Sequence, residues 1–151
     1  MDVPDRIERV WILPVSRERA WRAITEPAEI ARWMDGTRVE MELRPGTEAR
    51  FIWGEHVTRA LVEAVEPPHR FAYRWHPGSE QHLSESLDKL PLTLVEFILD
   101  EVPDGTRLTL IESGFAALPA EMRERIYREN LQGWKELIDP LCTYLAATVE
   151  V

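Results

Sequence analysis

The chain holds one cysteine in 151 residues, Cys142, which excludes an intrachain disulfide and a cysteine-built zinc cage. Lysine is almost absent: only Lys89 and Lys135 break the arginine bias, which more often follows genome composition than function. Positive charge is short overall. A formal net charge of −9 leaves little for a phosphate-binding face, so nucleic acid is not an expected partner. No apolar run approaches the ~18 residues that span a bilayer. The opening MDVPDRIERV carries acids and arginines before any apolar run, so no secretory signal is expected and the default location is the reduced cytoplasm. Neither GxxxxGK[ST] nor GxGxxG occurs, and the DGTR at 104–107 is a turn. His56, His69, His76 and His82 form no HxH or HxxxH pair, so neither a metal nor a cofactor is expected. Ser84, Ser86 and Ser113 lack a nucleophile-elbow context.

What is present is core-forming material. A hydrophobic fraction of 44% with six tryptophans suits one domain over residues 1–151, burying about two-thirds of the surface its unfolded chain exposes. The β-branched RIERVWIL predicts a strand from Arg6 to Leu13, closed by Pro14. Ser16 is placed to cap a short helix carrying Ala20, Trp21 and Ile24, and Pro27 opens a second that ends near Gly36. A long β region follows. TRVEMELR alternates with Val39, Met41 and Leu43 on one face, EARFIW puts Phe51 and Trp53 in phase, and RFAYRW does the same for Phe71, Tyr73 and Trp75. LTLVEFILD and TRLTLIES flank the turn PDG. Residues 76–90 are polar and too long for a hairpin, which reads as a short helix or a flap at a pocket mouth. An apolar stripe from Met122 to Leu145 predicts a final helix starting near Pro119, with Pro140 kinking it.

This order predicts an α+β helix-grip architecture: a curved antiparallel sheet closed around the C-terminal helix, with two short helices after the first strand. A curved sheet and one rod do not match in shape, so a cavity between them is expected.

One residue breaks the pattern. In RLTLIESGF, Leu108 and Leu110 face a core, and two more residues at period 2 carry Glu112 to that face. A carboxyl group held off water there can donate a proton or orient a polar ligand group, which makes Glu112 a candidate catalytic acid. The alternative is a bulge, helped by Gly114, that turns it to solvent or to Arg107. If buried, it needs a donor such as Tyr73, Asn130 or a tryptophan indole.

Four segments, AWRAITEPAEIARWM, VEPPHRFAYRW, VEFILDEVPDGTRLTLIESGF and NLQGWKELIDPL, together resemble the SRPBCC (START-like) superfamily, in the branch of homologues of the heat-shock-protein-90 ATPase activator. The resemblance runs from Ala20 to Leu141 and implies the same helix-grip fold. For function it implies binding of lipids, hormones or polyketides, their cyclisation or hydrolysis, or chaperone partnership. The leading expectation is a binding module for a small hydrophobic or aromatic ligand. The alternatives are a cyclase- or hydrolase-type enzyme using Glu112, and a protein that binds a heat-shock-protein-90 homologue; a homodimer is also open. Candidate ligand contacts are Trp33, Phe51, Trp53, Tyr73, Trp75, Phe97 and Trp134, about half of which should reach the cavity, with Tyr73, Tyr127 and Asn130 as polar anchors. Gly133 is expected to allow close helix–sheet approach.

Overall fold

The computed structural model describes residues 4–34, 36–77 and 86–147. Seven antiparallel strands form one sheet in the order β1-β7-β6-β5-β4-β3-β2. In chain order these are β1 (Arg6–Leu13), β2 (Arg38–Glu40), β3 (Glu48–Trp53), β4 (His56–Glu66), β5 (Arg70–Trp75), β6 (Thr93–Val102) and β7 (Gly105–Ser113). Two short helices, α1 (Arg17–Thr25) and α2 (Pro27–Trp33), follow β1, and α3 (Ala120–Ala147) covers one face of the sheet. The fold is the helix-grip arrangement.

Local chemistry explains the boundaries. The Ser16 hydroxyl accepts the Arg19 N–H at 3.2 Å and starts α1, while Pro27 sits in the first turn of α2, where its missing N–H costs nothing. The β6–β7 hairpin pairs Val102 with Gly105, where φ is 146°. A Cβ at Gly105 would lie 2.1 Å from the Leu13 carbonyl oxygen, so only glycine lets the hairpin pass the end of β1. β1 is an edge strand that also clasps α3: the Arg9 guanidinium donates to the Leu131 carbonyl at 2.8 and 2.6 Å, and the Trp11 indole to Asp139 at 3.2 Å.

Two expectations change. The strand predicted over TRVEMELR is only Arg38–Glu40, because β2 pairs with β3 for three residues and the chain then turns. The Thr47 hydroxyl donates to the carbonyls of Glu42 and Arg44 in that turn, and Leu43 is 38% exposed. α2 ends at Trp33, short of Gly36. α3 runs through Pro140 to Ala147, as its apolar stripe predicted, since proline removes one donor while Leu141 and Leu145 beyond it remain fully buried. Of the 76–90 segment, 78–85 lie outside the described residues. The His76 imidazole contacts the Pro91 carbonyl at 2.9 Å, and 87–89 form one 3-10 turn with Leu87 buried.

Candidate functional site

β5 brings Phe71, Tyr73 and Trp75 to one face of the sheet, as their alternation predicted. Phe51 and Trp53 from β3, Phe97 from β6 and Trp33 from α2 surround the same space. Opposite them, α3 presents Asn130, Gly133, Trp134 and Leu137. The result is a cavity of about 280 Å³ between helix and sheet. All seven aromatics singled out from the sequence line it, rather than half, because their strands and helices converge on one void. Tyr73 is the hub of this wall: its ring centroid lies 5.6 Å from Trp75, 5.8 Å from Phe71, and 6.1 Å from both Phe51 and Phe97. Trp75 stacks on Trp134 at 5.4 Å.

Sequence reading missed Ile24, Ile30, Met34, Thr58, Phe71, Gly133 and Leu137 as wall residues. Phe71 was within reach, being in phase with Tyr73. The others belong to apolar stripes that cannot say which of their members border a void. Gly133 reverses its expected role. A Cβ there would meet nothing within 4 Å, so this glycine leaves space in the cavity instead of admitting a neighbour. Tyr127 stands outside the lining: its ring packs edge-on against Phe115 at 5.2 Å and its hydroxyl donates to the Arg6 carbonyl at 3.5 Å.

Glu112 lies on the helix-facing side of β7, between Ile7 of β1 and Val95 of β6, and is 0% exposed. The alternation holds through it, because Gly114, at φ 98°, ends the strand beyond it instead of bulging. Its Oε1 accepts from the Trp134 indole at 2.8 Å and from Asn130 Nδ2 at 2.9 Å. Its Oε2 accepts from the Trp75 indole at 3.0 Å, from the Thr93 hydroxyl at 2.5 Å and from Asn130 Nδ2 at 3.1 Å. The expected Asn130 and indole donors are there. Tyr73 is not among the donors. Three of the four partners, Trp75, Asn130 and Trp134, are also cavity wall, while Glu112 itself stands behind it. The carboxylate thus fixes the orientation of both indoles and of the Asn130 amide, whose Nδ2 must face an acceptor-only group and whose Oδ1 therefore points away from it.

The Tyr73 phenol is pushed well above its ordinary range, first by burial and then by the negative charge of Glu112, so it remains a neutral hydroxyl. No described residue accepts from or donates to that hydroxyl, which leaves it available to a molecule in the cavity. A second wall hydroxyl, Thr58, contacts the His56 ring at 3.3 Å. None of the described lining residues is an acid, a lysine, an arginine or a histidine.

The model of the family described as Activator of Hsp90 ATPase homolog 1-like protein matches residues 14–146. No curated protein matches the chain. Among solved structures, protein MLL2253 from Mesorhizobium loti is 24% identical, with 96% of this chain and 99% of that chain covered at a TM-score of 0.77. DynU16, a protein of the dynemicin biosynthetic locus, is 22% identical at a TM-score of 0.74, and the match covers 95% of this chain and 48% of that one. The Aha1 dimer from Colwellia psychrerythraea is 16% identical, covering 93% and 95% of the two chains at a TM-score of 0.71. At these identities the structural likeness concerns the fold.

Proposed function

The chain belongs to the Activator of Hsp90 ATPase homolog 1-like protein family, and from that premise we propose that it is a small-molecule binding protein. Its ligand, a hydrophobic or aromatic molecule, occupies the space between α3 and the aromatic half of the sheet. One observation carries this reading: a cavity of about 280 Å³ walled by eight aromatic side chains, with a neutral hydroxyl at its hub that no described residue bonds. Trp33, Phe51, Trp53, Tyr73, Trp75, Phe97, Asn130 and Trp134 form the contact surface. Glu112 acts as a positioning residue, because both of its oxygens are taken up by protein donors.

Native mass spectrometry of protein purified from its own host tests this. A co-purifying small molecule is expected, and it should be absent from the Gly133→Leu variant, whose added side chain grows into the cavity. Protein that carries no added mass and takes up no apolar probe would remove the reading.

The family description favours a second reading, a heat-shock-protein-90 homologue as partner, and the dimeric Colwellia structure makes a homodimer worth measuring. Recovery of that chaperone in a pull-down, abolished by surface substitutions and indifferent to Gly133→Leu, would put this reading first.

A further inference from the structure

We propose that the cavity takes an organic cation: a compact apolar molecule carrying a tertiary or quaternary ammonium group, in preference to its neutral isostere and to any carboxylate. The inference rests on the cavity being a ligand site and adds the sign of the ligand's charge.

The first observation is an unbalanced charge. Other partly buried acids of this fold sit against arginines: Glu29 with Arg19, Glu48 with Arg59, Glu96 with Arg70. Glu112 is the most deeply buried of these acids and has only neutral partners, two indoles, one amide and one hydroxyl. Among the described residues no lysine, arginine or histidine pairs with it. Hydrogen bonds make such a carboxylate tolerable, but they do not cancel its field.

The second observation is where that field reaches. Trp75, Asn130 and Trp134 touch the carboxylate on one side and the cavity on the other, so the charge stands one side chain behind the wall. It is felt at Tyr73, whose phenol is held neutral first by burial and then by Glu112. In a medium that screens poorly, an anionic ligand would meet an uncompensated like charge, and a cation would meet its missing partner.

The wall itself is the third. Aromatic faces carry negative quadrupole density and attract cations, most strongly when the cation is desolvated. An indole that donates its N–H to a carboxylate is polarised toward its ring, which strengthens that attraction at Trp75 and Trp134. Among the described residues the wall offers few side-chain acceptors: the Tyr73 and Thr58 hydroxyls and the Asn130 amide oxygen. A primary ammonium would lose more hydration than these can replace, whereas an alkylated one has little to lose. The volume is roughly twice the ~150 Å³ cavity that holds benzene, so a ring with a trimethylammonium group fits and a long acyl chain does not.

The test is calorimetric titration at pH 6.5 with an isosteric pair, (4-hydroxyphenyl)trimethylammonium and 4-tert-butylphenol, and one anion of similar bulk, 4-tert-butylbenzoate. The cation should bind about tenfold tighter than the phenol, and the benzoate weakest of the three. Glu112→Gln should bring the cation-to-neutral ratio close to one; if that variant does not fold, the wild-type series decides alone. A phenol that binds as tightly as the cation overturns the charge preference and leaves the ligand reading standing, as does a ratio unchanged in a folded Glu112→Gln. If Gly133→Leu leaves the cation affinity unchanged, binding lies elsewhere and the inference fails. If none of the three binds the wild type, inference and ligand reading fall together.

Discussion

The two halves of the sheet's covered face are built from different materials. On β1, β7 and β6 the inward residues are mostly aliphatic, and Ile7, Leu13, Leu99, Leu108 and Leu110 are essentially sealed from solvent. They interlock without a described void. On β5 and β3 the inward residues include Phe71, Tyr73, Trp75, Phe51 and Trp53, with Thr58 of β4 between them, and the void opens there. Branched aliphatic chains can adjust their volume in small steps to a neighbouring helix; flat rings set at about 5 to 6 Å from one another hold an opening between them. One half maintains the fold, and the other keeps a space within it. Glu112 stands on the border, anchored in the aliphatic half and bonded to the walls of the hollow one.

The largest expected effect is therefore at that border. Glu112→Ala strands two indole N–H groups, an amide and a hydroxyl in a dry site, and should cost about 4 kcal/mol in denaturant-unfolding stability. A loss below about 1 kcal/mol would show that water replaces the carboxylate and that the border is wet. Leu108→Ala, within the filled half, should cost about 3 kcal/mol through its new cavity, with no change in ligand uptake. On the hollow side the sign reverses. Gly133→Ala adds a methyl to open space and removes glycine from a helix interior, so stability should rise by about 1 kcal/mol while apolar-probe affinity falls. Trp53→Ala should be the mildest for stability, roughly 0.5 kcal/mol, because the ring is already 43% exposed, and its effect should appear in probe binding instead. Equal stability losses for Leu108→Ala and Trp53→Ala would erase the distinction between the halves.

The same contrast explains what could be read in advance. β1 was legible to the residue, Arg6 to Leu13, since its composition is unambiguous and Pro14 stops it. The alternation through Glu112 was legible because a sheet with one dry face allows one register. β2 was overextended because alternation constrains a strand only while it has a neighbour, and pairing with β3 stops at Glu40. The aromatic wall was legible as residues, since period 2 puts them on one face. That Gly133 borders a void was not, because a glycine in a helix carries the same letter whether a neighbour or nothing lies beyond it. Nor could Tyr127 be told from Tyr73: helical spacing gives a face, and only the packing of Phe115 shows what occupies it.

The pairing of β1 with β7 has a consequence for the order of events in folding. Ile7 meets Glu112 and Leu13 meets Thr106, partners roughly a hundred residues apart, whereas β3 to β7 form by successive local hairpins and one longer connection. Closing so long a loop is slow and should come after the local hairpins. A chain made from its N-terminus exposes β1, with Ile7, Val10, Trp11 and Ile12, before either of its eventual neighbours exists. Pulse-labelled hydrogen exchange during refolding should find the amides of β4 to β6 protected before those of β1. The carboxylate cage has the same clock: Glu112 arrives with β7 and its last donors with α3, so the wall that Glu112 orients is complete only when α3 has docked on the sheet.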